Sequence, residues 1–190
     1  MRQEGRRIFP EYERRTMQEK GLFIVYTGNG KGKTTAALGL ALRAAGHGLK
    51  VCIIQFIKSL KQTGEAKAIT AWSQQIEFHT AGSGFTWAAK DPEEPRQAAR
   101  AGWDLAESKI ASAHYHMVIL DEFTYPLAYG YLDENAVLST FAARPAHQHL
   151  VITGRGASDR LIAAADLVTE MREIKHPFQQ NAAARQGIEF

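Results

Sequence analysis

The chain alternates short apolar runs with longer amphipathic stretches from about residue 21 onward. The apolar runs cover residues 23–26, 51–57, 76–79 (the weakest), 117–120, 150–153 and 167–170. Strands that are covered on both faces of a sheet read as continuous apolar runs, because neither face meets water. We therefore predict about six buried strands.

Helical patterns separate these runs. They cover residues 34–45, closed by Gly46 and Gly48, and residues 96–113, 133–143 and 158–165, with Asp133 as the expected N-cap of the third. Alternating strands and helices predict an α/β fold of three layers, in which helices cover both faces of a mostly parallel sheet. Ligands bind such sheets at the carboxyl ends of the strands. The loops after the apolar runs are therefore the places to look for chemistry.

A glycine-rich loop follows the first apolar run. It reads Thr27-Gly28-Asn29-Gly30-Lys31-Gly32-Lys33-Thr34-Thr35. Glycines let backbone N–H groups turn toward an anion, the following helix directs its positive end to the same point, and Lys33 adds a full charge. Thr34 offers a hydroxyl to a magnesium ion, and the phosphate-loop motif G-x-x-x-x-G-K-[ST] matches except at Thr27, which replaces glycine. We therefore predict a P-loop NTPase fold of the RecA-like type that binds ATP through residues 28–35.

Two acidic residues, Asp121 and Glu122, end the fourth apolar run. An acidic residue at the end of a strand is how P-loop proteins place a carboxylate near the nucleotide-bound magnesium. Asp121 would hold the metal directly or through water, and Glu122 would share that role or orient a reactant. With Thr34 they form the predicted metal site, although two helix-capping carboxylates would give the same pattern.

Two further loops reach the same predicted edge of the sheet. Residues 81–87 place Phe85 and Trp87 behind a glycine pair, which suits either a cap on the core or a platform for a flat, apolar ligand. In the second loop, residues 153–156, Arg155 stands between two glycines. A solvated turn explains that pattern, but an anion contact at the active edge explains it better.

Composition narrows the class of protein. The chain has 190 residues, of which 45% are hydrophobic, so we predict one globular domain over residues 21–190 and an N-terminal arm over residues 1–20. Its single cysteine, Cys52, provides neither a disulfide framework nor a cysteine metal cluster. No run is long enough to span a membrane and no secretory leader is evident, so we expect a cytoplasmic protein. The 23 basic and 20 acidic residues nearly balance, which does not favour nucleic-acid binding.

Taken together, these loops resemble the P-loop type of ATP:corrinoid adenosyltransferase, from about Gly21 to the C-terminus. The resemblance is carried by residues 27–35, Gln55-Phe56-Ile57-Lys58, Gly84-Phe85-Thr86-Trp87, Leu120-Asp121-Glu122 with Tyr125, Thr153-Gly154-Arg155-Gly156, and the tail Lys175-His176-Pro177-Phe178 with Gly187-Ile188-Glu189-Phe190. The first block alone is a general P-loop signal. Joined to the Phe-Thr-Trp loop it is specific.

The resemblance implies transfer of the 5′-deoxyadenosyl group of ATP to the cobalt(I) of a reduced corrinoid, with release of inorganic triphosphate. This reaction belongs to cobalamin biosynthesis or salvage. Residues 28–35, with the Lys33 ammonium, would stabilise the negative charge on the departing triphosphate, together with magnesium or another hard divalent cation held by Thr34, Asp121 and Glu122. The attacking atom is cobalt, so no protein nucleophile is needed.

The resemblance also implies roles for aromatic and basic side chains. Phe85 and Trp87 would pack against the lower face of the corrin and keep axial ligands off the cobalt, which eases its reduction. Arg155, and Arg43 on the first helix, are candidates for phosphate or corrin-carboxamide contacts, a structural salt bridge being equally open for Arg43. Members of the family form homodimers, residues 1–20 are expected to order over the bound corrin, and an electron-donating flavoprotein is the expected partner.

Two other classes of protein share the P-loop. An ATP-hydrolysing or phosphoryl-transferring enzyme, such as a small-molecule kinase, would release ADP rather than triphosphate. A RecA-like nucleic-acid-binding ATPase would show a salt-dependent affinity for DNA or RNA. The sequence has no basic stripe interleaved with aromatic residues that would favour the latter.

Overall fold

The computed structural model of the chain describes residues 20–57, 64–81, 93–177 and 183–188. Within these ranges six strands form one sheet, and every pair of neighbouring strands is parallel. The strands are β1 (Phe23–Thr27), β2 (Val51–Gln55), β3 (Ile76–Thr80), β4 (Met117–Asp121), β5 (His149–Thr153) and β6 (Leu167–Glu170). The predicted α/β fold on a parallel sheet of about six strands is confirmed, although β2 ends before its apolar run does.

Helices connect the strands. They are α1 (Lys33–Gly46), α2 (Gly64–Ile69), α3 (Glu93–Ala111), α4 (Thr124–Ala128), α5 (Glu134–Ala142) and α6 (Asp159–Ala164), with a 3-10 turn at Thr70–Trp72. The four predicted helices correspond to α1, α3, α5 and α6, whereas α2 and α4 were not predicted. No helix in the described ranges has both the length and the apolar composition needed to cross a bilayer.

The helix starts show which local signals were informative. The side chain of Asp133 accepts a hydrogen bond from the amide of Asn135 at 2.9 Å, so the predicted N-cap of α5 is confirmed. Ser158 caps α6 in the same way, through the amide of Leu161 at 3.0 Å. Helix α1 instead starts after Gly32, and no side chain caps it. The amides of its first turn are therefore left for a ligand.

The sheet is covered on both faces. Phe23 and Val25 of β1 pack on the side of α3, α5 and α6, while Ile24 packs on the side of α1. Because successive side chains of a strand point to opposite faces, this alternation shows two separate apolar layers. The face of α1 that meets the sheet is built mainly from alanines, which let the helix lie close to it. The three-layer arrangement is thus confirmed.

The strand order decides which loops meet. From edge to edge the order is β3-β2-β4-β5-β1-β6. Strand β5 therefore lies between β1, which leads into the glycine-rich loop, and β4, which ends in the acidic pair. Because all six strands are parallel, the loops after β1, β4 and β5 emerge at one edge, side by side.

Candidate active site

The glycine-rich loop after β1 folds back on the lysine that ends it. Gly28 and Gly32 have φ angles of 93° and 107°, a region that favours glycine because it has no Cβ. The Lys33 ammonium donates hydrogen bonds to the carbonyls of Gly28 and Gly30, each at 2.7 Å, and the residue is only 7% exposed. Lys33 therefore holds the loop in shape as well as bringing a positive charge to it.

The environment of Lys33 weakens its hold on its own proton. Burial lowers the pKa of Lys33 and the charge of Arg155 lowers it further, while Glu122 and Asp121 act in the opposite direction without overcoming the burial. A polyanion bound beside the ammonium would favour its charged form. The lysine is therefore suited to an anionic ligand.

The chain that follows β6 lies directly against the loop. The amide of Gly30 donates to the carbonyl of Met171 at 2.7 Å, and the amide of Met171 donates to the carbonyl of Thr27 at 2.8 Å. A Cβ built on Gly28 would stand 2.5 Å from the carbonyl oxygen of Met171, and one on Gly30 would stand 2.7 Å from that of Arg172. These two glycines are thus required by the neighbouring backbone, in addition to any ligand.

The acidic pair after β4 has two distinct environments. Asp121 is 1% exposed, and its carboxylate oxygens accept hydrogen bonds from the side-chain amide (Nε2) of Gln55 at 3.0 Å and from the hydroxyl of Thr153 at 2.7 Å. Glu122 has a left-handed φ of 58°, and its amide donates to the same Thr153 hydroxyl at 2.9 Å. The turn at Glu122 directs the chain away from the strand, and Glu122 lines the cavity described next, whereas Asp121 does not.

A cavity of about 660 Å³ lies over the first turn of α1. It is lined by Gly30, Lys31, Gly32, Lys33, Thr34, Thr35, Leu38, Gly64, Glu65, Glu122, Tyr125, Arg155, Gly187 and Ile188. This volume is within the usual range for small-molecule sites. The lining combines uncapped helix amides, three cationic side chains, two threonine hydroxyls and two carboxylates, which is the chemistry that a nucleotide polyphosphate with a cation requires.

The donor set at the cavity fits a hard divalent cation. The hydroxyl of Thr34 and the carboxylate of Glu122 belong to residues that line it, and both are oxygen ligands of the kind magnesium prefers. Within the described ranges no three His, Cys, Asp or Glu side chains group closely enough to hold a metal alone. A cation here would therefore complete its coordination with ligand oxygens and water, as magnesium does at phosphate sites.

The structure brings most of the predicted site residues together. Residues 30–35, Glu122 and Arg155 share the cavity, Asp121 stands beside Glu122, and Gly28 and Asn29 lie in the loop that leads to it. Arg43 does not join them, because it is exposed in the last turn of α1, about 13 Å along the helix from Thr34. Phe85, Trp87 and the predicted arm over residues 1–20, apart from residue 20, lie outside the described residues.

Two polar residues of the site were given no role from the sequence. Gln55 and Thr153 are fully buried and hold the carboxylate of Asp121 from both sides. Each ends a strand that neighbours β4, so the strand order puts them in contact with Asp121. Gln55 interrupts the apolar run 51–57 and Thr153 ends the run 150–153, and these polar positions are the signal that could have found them.

Comparisons with known proteins found similar sequences over most of the chain. The family model described as ATP:corrinoid adenosyltransferase BtuR/CobO/CobP matches residues 19–190. A corrinoid adenosyltransferase of Pseudomonas aeruginosa is 43% identical over 90% of this chain and 85% of its own length. The corrinoid adenosyltransferase CobA of Salmonella typhimurium is 43% identical over 91% of this chain and 87% of its own.

A solved structure supports the fold alone. The crystal structure of the flagellar accessory protein FlaH from Methanocaldococcus jannaschii superposes with a TM-score of 0.52, covering 80% of this chain and 71% of that one. The two sequences are 10% identical, so the likeness concerns architecture and not activity.

Proposed function

Because the chain belongs to the ATP:corrinoid adenosyltransferase family, we propose that its cavity holds ATP for transfer of the 5′-deoxyadenosyl group to a corrinoid. The bond between C5′ and the triphosphate breaks, and a bond between C5′ and the substrate's cobalt forms. The electron pair comes from cobalt(I), and the leaving group departs as inorganic triphosphate. The observation that carries the proposal is that the P-loop, Glu122 and Arg155 line one cavity.

The P-loop stabilises the leaving group in this scheme. Negative charge builds on the triphosphate as the C5′ bond lengthens, and fixed positive groups aimed at that charge lower the barrier. The amides at the start of α1 and the Lys33 ammonium are such groups, and Lys33 is already held by the carbonyls of Gly28 and Gly30. Little reorganisation is needed at the moment of reaction.

The cation role falls to Thr34 and Glu122. Both line the cavity, whereas Asp121 is buried and does not line it. Magnesium bound there would neutralise part of the charge that develops on the triphosphate. Asp121 accepts hydrogen bonds from Gln55 and Thr153, and these contacts hold its carboxylate in one position.

The corrin side of the reaction rests on residues outside the described ranges. Phe85 and Trp87 form an apolar wall against the lower face of the corrin, and residues 1–20 order over it when it binds. A homodimer and an electron-donating flavoprotein complete the working assembly. The cytoplasm is the expected location, which suits an enzyme that uses ATP and whose single cysteine, Cys52, is buried and free.

The products of one reaction test the proposal. The protein is incubated without oxygen with ATP, magnesium and a chemically reduced corrinoid, while the visible spectrum is followed and phosphate products are assayed. We expect a cobalt–carbon product and triphosphate in equal amounts. Release of ADP or orthophosphate without a spectral change would assign the chain to the hydrolysing or phosphoryl-transferring enzymes instead.

A pair of lysine variants shows whether the cavity is the site. Lys33→Ala is expected to lower kcat/KM for ATP by about 100-fold or more, since it removes charge stabilisation of the leaving group. Lys50 lies at the amino ends of the strands, directly before β2, and so away from the loops of the site. Lys50→Ala therefore removes the same charge elsewhere and is expected to leave kcat/KM unchanged. Equal activity of the two variants would contradict the assignment.

A further inference from the structure

Arg155 projects from a loop that is anchored at three points. The loop joins β5 to α6, and the amide of Gly154 donates to the carbonyl of Tyr26 at 3.1 Å. The hydroxyl of Thr124 donates to the carbonyl of Arg155 itself at 2.7 Å. The amide of Ala157 donates to the hydroxyl of Thr27 at 3.2 Å. The backbone on both sides of the arginine is thus held by β1 and α4.

Thr27 occupies the one position where the loop departs from the usual P-loop motif. Glycine at that position has no side chain and could not accept the Ala157 amide. Thr27 is 8% exposed and does not line the cavity, so its hydroxyl faces the Arg155 loop rather than a ligand. The substitution therefore adds a connection between the P-loop and the neighbouring loop.

Thr124 makes the matching connection from the other side. It is the first residue of α4, two residues after Glu122, and is 2% exposed. The loop approaches it so closely that a Cβ on Gly154, whose φ is 142°, would stand 2.0 Å from the Thr124 hydroxyl. Gly154 is what allows this contact to form.

The anchored backbone carries a side chain that needs orientation. Arg155 is exposed and flanked by two glycines, so without anchors its loop would sample many conformations. Its guanidinium belongs to the same cavity as Lys33, and its charge contributes to the lowered pKa of that lysine. Holding a charged group in place before the reaction contributes to catalysis, because the ordering does not have to occur in the transition state.

We propose that Thr27 and Thr124 are positioning residues that act through Arg155, by fixing its loop so that the guanidinium meets the triphosphate. The inference rests on the proposed function, in which ATP occupies the cavity that Arg155 lines, and it assigns Arg155 the phosphate contact rather than a contact with a corrin carboxamide. It also gives the first position of the P-loop a purpose: the threonine stands where glycine is usual because it ties two phosphate-binding loops together.

A double-mutant cycle separates this role from a merely structural one. Thr27→Val keeps the shape and removes the hydroxyl, Thr27→Ser keeps the hydroxyl, and Arg155→Ala removes the group through which the threonine acts. We expect Thr27→Val to lower kcat/KM for ATP about tenfold, and Thr27→Ser to restore most of it. In the Arg155→Ala background, Thr27→Val should cause no further loss, because interacting residues are not additive. The same pattern is expected of Thr124→Val.

Three results would overturn the inference. These are additive losses in the Arg155→Ala background, a Thr27→Ser variant as impaired as Thr27→Val, or full activity of Arg155→Ala. If Thr27→Val does not fold, as judged by circular dichroism, the cycle with Thr124→Val decides the question alone.

The double-mutant cycle can also be measured through ATP binding, without the adenosyl transfer. The dissociation constant of magnesium–ATP, measured by calorimetry for the same variants, should show the same loss and the same lack of additivity. A wild-type protein that makes no cobalt–carbon product but shows this coupling would contradict the proposed function and leave the positioning role standing. Normal transfer with no coupling in either readout would do the reverse.

Discussion

Thr153 organises the acidic half of the site with a single hydroxyl group. The hydroxyl donates to Asp121 at 2.7 Å and accepts the amide of Glu122 at 2.9 Å, and the residue is fully buried. Glu122 has a φ of 58°, which residues other than glycine rarely adopt. The hydrogen bond from its amide to Thr153 helps to hold this conformation. One threonine hydroxyl therefore fixes both the position of the Asp121 carboxylate and the turn at Glu122.

Replacing Thr153 by Val tests this role. Val keeps the shape but leaves the buried carboxylate of Asp121 and the partly buried amide of Glu122 without their Thr153 partner. We expect the free energy of unfolding to fall by about 1–3 kcal/mol, as measured by urea denaturation. The magnesium concentration that gives half-maximal activity should rise, because Glu122 is no longer held at the cavity. Thr153→Ser is the control, and a Val variant that matches Ser in both measurements would contradict the role.

The sequence predicts the residues of the site better than their relations. Lys33 and Thr34 are predicted because the P-loop is a local pattern whose physics is contained in nine consecutive residues. Gln55 lies 66 residues from Asp121, and Thr153 lies 32 residues from it. Their contacts depend on which strands are neighbours, and no local periodicity encodes that order.

At the scale of helices and strands, long periodic segments are predictable and short ones are not. Strand β4 is predicted because Met117 to Leu120 are all apolar. The structure buries all four of these residues. Helix α4, Thr124–Ala128, has five residues, too few to show a period, and it contains Pro126. Proline is tolerated in the first turn of a helix, where its missing N–H would have no partner in any case. The helix follows the left-handed turn at Glu122, and its residues Thr124 and Pro126 are buried, so tertiary packing rather than a local period supports it.

Strand β3 lies at an edge of the sheet, where it pairs with β2 alone, and its residue Glu77 also binds side chains of neighbouring segments. Glu77 accepts a hydrogen bond from Lys109 of α3 at 2.7 Å, and it also contacts the hydroxyl of Tyr115 and the ring of His79. Burial raises the pKa of Glu77, but these hydrogen bonds outweigh it and lower the pKa from 4.5 to about 2. The folded protein therefore favours the ionised form.

This shift predicts how β3 responds to acid. A carboxyl whose pKa is lower in the folded than in the unfolded protein stabilises the fold above its unfolded pKa and loses that effect as the pH falls. Wild type should exceed Glu77→Gln in stability at pH 7 and lose that advantage between about pH 4.5 and about pH 2. The side chain is 41% exposed, so the difference should be at most about 1 kcal/mol.

Urea unfolding at pH 7 and at pH 3 measures the difference in free energy of unfolding between wild type and Glu77→Gln. Glu94→Gln, which removes an exposed carboxyl at the start of α3, is the control for a change in net charge. A Glu77→Gln variant whose stability relative to wild type is the same at both pH values would refute the assigned role.

At the scale of the whole molecule, the cavity is built from distant parts of the chain. Its lining includes residues 30–35 near one end, Arg155 in the last third, and Gly187 with Ile188 near the other end. The sequence predicts the first two, and it places the last two only in a tail that resembles the family. A ligand that touches all of them joins segments that are otherwise far apart along the chain, and so it must stabilise the fold as a unit.

That linkage gives a prediction for magnesium–ATP. At a concentration of about 100 times its dissociation constant, a ligand that binds only the folded state adds about 2.7 kcal/mol. For a chain of this size the melting temperature should rise by roughly 5–10 °C, as measured by differential scanning fluorimetry. Lys33→Ala should lose most of this shift, and Lys50→Ala should keep it. A full shift in Lys33→Ala would place the nucleotide elsewhere.

The strand order also determines when β1 can pair with its neighbours during synthesis of the chain. β1 is made first, yet its two neighbours, β5 and β6, are made last, and the amide of Phe23 bonds to Asp166, which is 143 residues later. At about 5–20 residues per second, the strand that leads into the P-loop waits roughly 7–30 s for its partners. A nascent chain cannot form the complete cavity for ATP until the segments that carry Arg155, Gly187 and Ile188 have been synthesised. The apolar side chains of β1, Phe23, Ile24 and Val25, therefore lack their partner strands until β5 and β6 have been made.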